Sequence, residues 1–243
     1  MAKSQGQNRL VVVRYADDPV AGHESVLWAL EYLTEVCRGK SIEVTAEDAA
    51  GAPKIWVSGP DHVPAQELKS NGATLPAEAE SFCLFWNRNE QSPALIAAGR
   101  DERGLLYALL EVADAVRHAA DPMAELARFR LLSEKPAVAV RAINRLFVSE
   151  AEDKAWFYNR TFWDEYLTEL ATHRINRLHL ALGMGYDYGH DPLASDNYFS
   201  FSYPFLIRVP GYDVRVAGLP DEERERNLET LRFISREAKR RGI

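Results

Sequence analysis

The most constraining stretch of this sequence is residues 138–182. Two β-rich runs, Val138–Phe147 and Ile175–Leu182, flank one helical stretch, Thr161–His173. Within that stretch Phe162, Trp163, Tyr166, Leu167, Leu170 and Ala171 recur at helical spacing, which places them on one face. A strand, a helical crossover and a second strand make a βαβ unit, so the two strands are expected to be parallel. Repetition of such a unit closes a (β/α)8 barrel, in which active sites lie at the carboxyl ends of the strands.

The preceding residues follow a different pattern. Leu10–Tyr15 reads as a strand and Val26–Cys37 as an amphipathic helix stopped by Gly39. Ser41–Thr45, Pro53–Gly59, Ser81–Trp86 and Ala94–Ala98 read as strands, with Pro60–Ala79 an irregular loop. Gly104–His118 is a second helix with Leu105, Leu106, Leu109, Val112, Ala113 and Val116 as its apolar stripe. The order β-α-β-β-β-β-α suggests an α+β domain with a mostly antiparallel sheet and both helices on one face. Asp121–Pro136 reads as a connection. The expected division is residues 1–135 as the α+β domain and 136–243 as the opening βα units of a TIM barrel, incomplete in this chain.

Two segments complete the reading. Gly183–Val214 is a long, aromatic-rich loop leaving the second barrel strand, where compact domains seldom carry idle chain. Asp221–Arg241 is a helix with acids at its positive end and Lys239, Arg240 and Arg241 at its negative end, so its basic run serves the helix dipole. Two barrel units leave an open parallel edge. The expectation is that the chain is a fragment of a longer polypeptide, or that self-association completes the sheet.

Composition excludes several classes. Hydrophobic residues make up 47% and charged residues 27%, an ordinary globular balance. A net charge of −7 argues against a nucleic-acid partner and gives no basis for binding anionic membranes. The polar start, residues 1–9, lacks the apolar core of a secretory signal, which fits a cytoplasmic protein. No apolar run reaches the roughly 20 residues of a bilayer span. Cys37 and Cys83 are expected to be buried, reduced thiols rather than a disulfide or a metal pair. Gly183-Met184-Gly185 is a lone Gly-x-Gly without the helix start of a dinucleotide fingerprint, so no cofactor is expected.

The run ALIAAGRDERGLLYALLEVADAVR resembles the strand, glycine turn and helix of the small α+β domain that precedes the barrel in family 20 β-hexosaminidases and family 67 α-glucuronidases. VRAINRLFVSEAEDKAWFYNRTFW resembles the α-glucuronidase segment in which a first barrel strand bearing an Asn leads into an aromatic loop. RINRLHLAL resembles the second strand of these families. The resemblance covers most of the chain and implies a glycoside hydrolase acting on an oligo- or polysaccharide. Such chemistry uses two carboxylates flanking the scissile bond. In these families both come from later strands, beyond Ile243, so no catalytic residue is carried over and the chain alone is expected to be inactive. The alternative is a non-catalytic carbohydrate-binding or scaffold protein.

Candidate substrate-binding residues are Asn144, Arg145, Tyr158, His179 and Asp187. Asn144 and Arg145 sit near the end of the first barrel strand, where an amide and a guanidinium suit sugar hydroxyls or a uronate carboxylate. The competing role for Arg145 is pairing with Glu150, Glu152 or Asp153. His179 lies within the second strand, where alternation groups it with Arg177 and Ala181, and it is expected to be enclosed. Tyr158, with Trp156, Tyr186 and Tyr188, suits either stacking on sugar rings or anchoring the loops. Asp187, His190, Asp191 and Asp196 cluster in the long loop without metal-ligand spacing, so no metal is expected.

Overall fold

A computed structural model describes residues 8–47, 51–87, 94–147, 150–182, 203–213 and 219–243. The chain divides into two compact units, Met1–Ala139 and Val140–Arg241.

The first unit runs β1 (Asn8–Arg14), α1 (Glu24–Gly39), β2 (Ile42–Thr45), β3 (Lys54–Ser58), α2 (Val63–Ser70), β4 (Phe82–Asn87), β5 (Ala94–Gly99), α3 (Glu102–His118), α4 (Pro122–Leu126) and β6 (Leu132–Glu134). Its six-stranded sheet has the order β2-β1-β3-β5-β4-β6. β1 is parallel to β2 and β3, and β3 is parallel to β5. Only β4 runs antiparallel to its neighbours β5 and β6. The sheet is therefore mostly parallel, which corrects the antiparallel expectation, and α2, α4 and β6 correct the β-α-β-β-β-β-α order.

The physical reason lies in the register. Thr45 at the end of β2 and Lys54 at the start of β3 are both level with Val11 of β1. The chain leaving β2 therefore need only step sideways across β1, about 10 Å for two strand spacings, rather than climb back a full strand. No helical crossover is required, so the sequence carries no sign of parallel pairing there. α2 was hidden by its prolines. Pro64 stands in its first turn, where a missing N–H costs nothing.

Helices cover both faces of this sheet. Leu68 of α2 and nearby Ala73 pack with Cys83, Ile96 and Ala98. The alternating residues Leu95 and Ala97 are fully buried on the other face, under the paired helices α1 and α3. Asp101 caps α3: one carboxylate oxygen accepts from Gly104 N at 2.8 Å and the other from Glu80 N at 2.8 Å.

Cys37 and Cys83 are free and buried. Burial pushes both thiols up to about 11. Native protein is expected to resist alkylation at neutral pH and to gain two reactive thiols on unfolding. Because burial favours the neutral form, this contribution to stability is complete below pH 9 and is lost as pH rises through about 11. Rapid native-state labelling with a maleimide would contradict this.

The second unit runs β7 (Ala142–Phe147), α5 (Glu150–Phe157), α6 (Arg160–Thr172), β8 (Arg177–Leu182), α7 (Tyr203–Leu206) and α8 (Asp221–Arg240). β7 and β8 pair in parallel, from Ala142 beside Arg177 to Phe147 beside Leu182. β7 starts later than expected, leaving Val138 and Val140 exposed. α5 occupies part of what read as a loop. Phe147, Phe157, Trp163, Leu167, Leu170, Phe205 and Ile234 form the core. Trp163 is fully buried, and its indole N–H donates to Phe157 O at 2.8 Å. Among the described residues no helix is long and apolar enough to cross a membrane.

Candidate functional site

The parallel pair β7–β8 has two unlike faces. Ile143, Arg145 and Phe147 alternate with Ala142, Asn144 and Leu146, and Leu178 and Leu180 alternate with Arg177, His179 and Ala181. Phe147, Leu178 and Leu180 pack into the helix layer. Among the described residues the opposite face is uncovered: Ala142, Asn144, Leu146, Arg177 and His179 are all exposed, Leu146 at 43%.

Asn144 and His179 are register partners on that uncovered face. They stand one strand spacing apart, about 4.8 Å between backbones. An amide and an imidazole side by side offer both donors and acceptors to a ligand hydroxyl. His179 was expected to be enclosed. It is exposed, because among the described residues the helices pack on the opposite face of the pair.

Arg145 turns the other way. Its guanidinium carbon lies 4.3 Å from the ring centre of Trp156, 5.1 Å from Phe162 and 5.6 Å from Tyr166. Its Nε is buried and has no hydrogen-bond partner among the described residues. The aromatic box, rather than Asp153, is what holds it; Asp153 accepts from Trp156 Nε1 at 2.7 Å. Phe162 and Tyr166 stack at 12° and supply the quadrupole faces that a cation favours.

Tyr158 also belongs to the helix layer. Its hydroxyl donates to Asn227 Oδ1, lies 3.4 Å from Glu223 Oε1, and its ring lies under Arg226 at 3.8 Å. Asn227 is fully buried and donates from its amide to Phe205 O at 3.1 Å. Burial, then the Glu223 charge, pushes the Tyr158 phenol up to about 12. Tyr158→Phe would strand a buried amide oxygen and is expected to cost about 1–2 kcal/mol in urea unfolding. No measurable change would contradict this hydrogen bond.

The structure thus unites Asn144 with His179 and places Arg145 and Tyr158 behind them. Asp187 lies outside the described residues, as do Tyr186, Tyr188, His190, Asp191, Asp196, Gly183-Met184-Gly185 and most of the long loop. Among the described residues no cluster of three or more His, Cys, Asp or Glu side chains forms a metal site. One residue that the sequence did not single out is Asn176. Its side-chain oxygen accepts from Arg141 N at 2.9 Å, and its own N–H donates to Arg141 O at 3.0 Å. It sets the register that brings Asn144 beside His179. Its place in the run RINRLHLAL was its only signal.

A mixed α/β unit followed by a parallel strand pair backed by helices is the fold found in N-terminal portions of glycoside hydrolases. A GH138 enzyme targeting pectin rhamnogalacturonan II shares the fold with a TM-score of 0.68 and 19% identity, over 97% of this chain and 30% of that structure. The GH84 structures CpGH84B and CpGH84D match with TM-scores of 0.52 and 0.50 and 11% and 10% identity, each over 97% of this chain. This chain spans 30%, 32% and 40% of the three structures, and its fold fits their N-terminal portion. No family model and no curated protein matches the sequence.

Proposed function

We propose that this chain is the N-terminal portion of a glycoside hydrolase: an accessory unit over residues 1–139, then the first two βα units of a (β/α)8 barrel. The observation that carries the reading is the parallel β7–β8 pair, helix-backed on one face and bearing Asn144 and His179 on the other. In a closed barrel that face would point inward. Asn144 and His179 then hydrogen-bond substrate hydroxyls, and Arg145 and Tyr158 stiffen the wall behind them. Acid and base carboxylates come from later strands.

The first substrate to test is pectin rhamnogalacturonan II, the target of the GH138 enzyme. A polypeptide extended along the reading frame is expected to release sugar from it, while the 243-residue chain does not. In the extended protein, Asn144→Ala and His179→Ala are each expected to lower kcat/KM about 10- to 100-fold, the loss of roughly 1.4–2.8 kcal/mol of transition-state binding. Turnover by the short chain, or full activity in both variants, would overturn the reading.

A further inference from the structure

A second constellation lies on the first unit, at the carboxyl ends of β1 and β3. These strands are adjacent and parallel. The chain leaving β1 goes to α1 on one face of the sheet, and the chain leaving β3 goes to α2 on the other. The outgoing connections part between them. Such a parting opens a crevice beyond the strand ends, where open parallel sheets bind ligands.

The residues at that point are not idle turn residues. Asp18, only 2% exposed, accepts through Oδ1 from Val20 N at 2.9 Å and Ala21 N at 3.0 Å. Its Oδ2 accepts from Gly59 N at 2.7 Å and faces His62 Nδ1 at 3.3 Å. A Cβ on Gly59 would lie 2.9 Å from Asp18 Oδ1, so the two loops meet only because residue 59 is glycine. Nδ1 is the ring nitrogen that faces this carboxylate, and Nε2 faces Asp17.

His62 Nε2 lies 3.8 Å from Asp17 Oδ1; the His62 side chain is 21% exposed and that of Asp17 87%. At that distance the two do not hydrogen-bond each other, so each can take a ligand hydroxyl. Beside them the His62 ring stacks on Tyr15 at 5.5 Å and 26°, and Tyr15 lies 5.8 Å from Trp56. All three rings are partly exposed.

We propose that this crevice is a saccharide-binding subsite on the first unit. Hydroxyls of a neutral sugar hydrogen-bond with His62 Nε2 and donate to Asp17, and its apolar C–H face lies on the Tyr15–Trp56 surface. A cationic amine fits less well. The Asp18 charge is already met by three N–H groups and His62, and Tyr15 and His62 stack on each other instead of walling in a point charge. The site uses nothing from β7 or β8, so it stands apart from the barrel reading.

The test uses the whole chain labelled with 15N-tryptophan, following the Trp56 indole N–H, assigned from the spectrum of Trp56→Phe. Methyl glycosides of galactose, glucose and rhamnose are titrated one at a time, and tetramethylammonium separately. A saturable shift with at least one glycoside is expected. Its affinity should fall at least about fivefold in Asp17→Ala and in His62→Phe, each losing one hydrogen bond, with the ring stack kept in the second. Asn144→Ala should leave it unchanged. No saturable glycoside shift, a shift with tetramethylammonium only, parental affinity in either site variant, or weakening by Asn144→Ala would each overturn the proposal.

Discussion

Gly104→Ala is expected to destabilise the first unit by about 3 kcal/mol or more in urea unfolding, at the upper end for overpacking, because the obstacle is backbone. A Cβ at residue 104 would lie 2.1 Å from Ser81 O and 2.9 Å from Ser81 C. That carbonyl is held by Arg100 N at 2.9 Å, so it cannot swing aside without breaking a second bond. Alanine's helix propensity returns only about 1 kcal/mol. Gly99→Ala faces the same problem, its Cβ falling 2.2 Å from Leu105 N. The control is Gly39→Ala, where nothing lies within 4 Å and the change is expected to be neutral or slightly stabilising. A Gly104→Ala protein within about 1 kcal/mol of the parent would contradict the packing described, since small-to-large changes typically cost 1–3 kcal/mol.

Arg241→Met is expected to cost the second unit about 3 kcal/mol. The residue is 3% exposed. Its guanidinium donates to Asp164 Oδ1, to Glu237 Oε2 at 2.9 Å, to Glu237 O at 3.1 Å and to Thr168 Oγ1 at 3.1 Å, tying α8 to α6. Methionine keeps the stem but abandons these acceptors, and breaking a buried pair one-sidedly costs about 3–5 kcal/mol. The figure is set at the lower end because Asp164 remains largely solvated. Arg241→Lys should fall between, since an ammonium keeps the charge but has only three donors, all on one atom, for four acceptors. Unfolding curves for the two variants that overlay the parent would refute this account. The end of α8 read from sequence as a dipole-stabilised basic run. Arg241 does more: it is a buried crosslink.

Much of the second unit was legible because its signals are local. Helical spacing identified Trp163 and Leu167 as core, and two β-branched runs around one helix implied parallel strands, as found. Alternation placed His179 with Arg177 and Ala181 on one face. It could not tell whether that face was covered, since coverage depends on other elements. Arg145 was illegible for the same reason. Its sequence neighbour Asn144 suggested a shared role, yet successive strand residues point to opposite faces, and only the helices decided which face was aromatic.

The amino-acid order alone determined where the chain can extend or coil, which helix faces are apolar, and that β7 and β8 run in the same direction. Those properties arise within a few residues or along one crossover. Tertiary structure alone decided that β1 lies between β2 and β3, that Gly59 and Gly104 are close-approach points, and that His62 meets Asp17 and Asp18. Each of these depends on the distance between segments far apart in the chain, and no local propensity encodes such a distance.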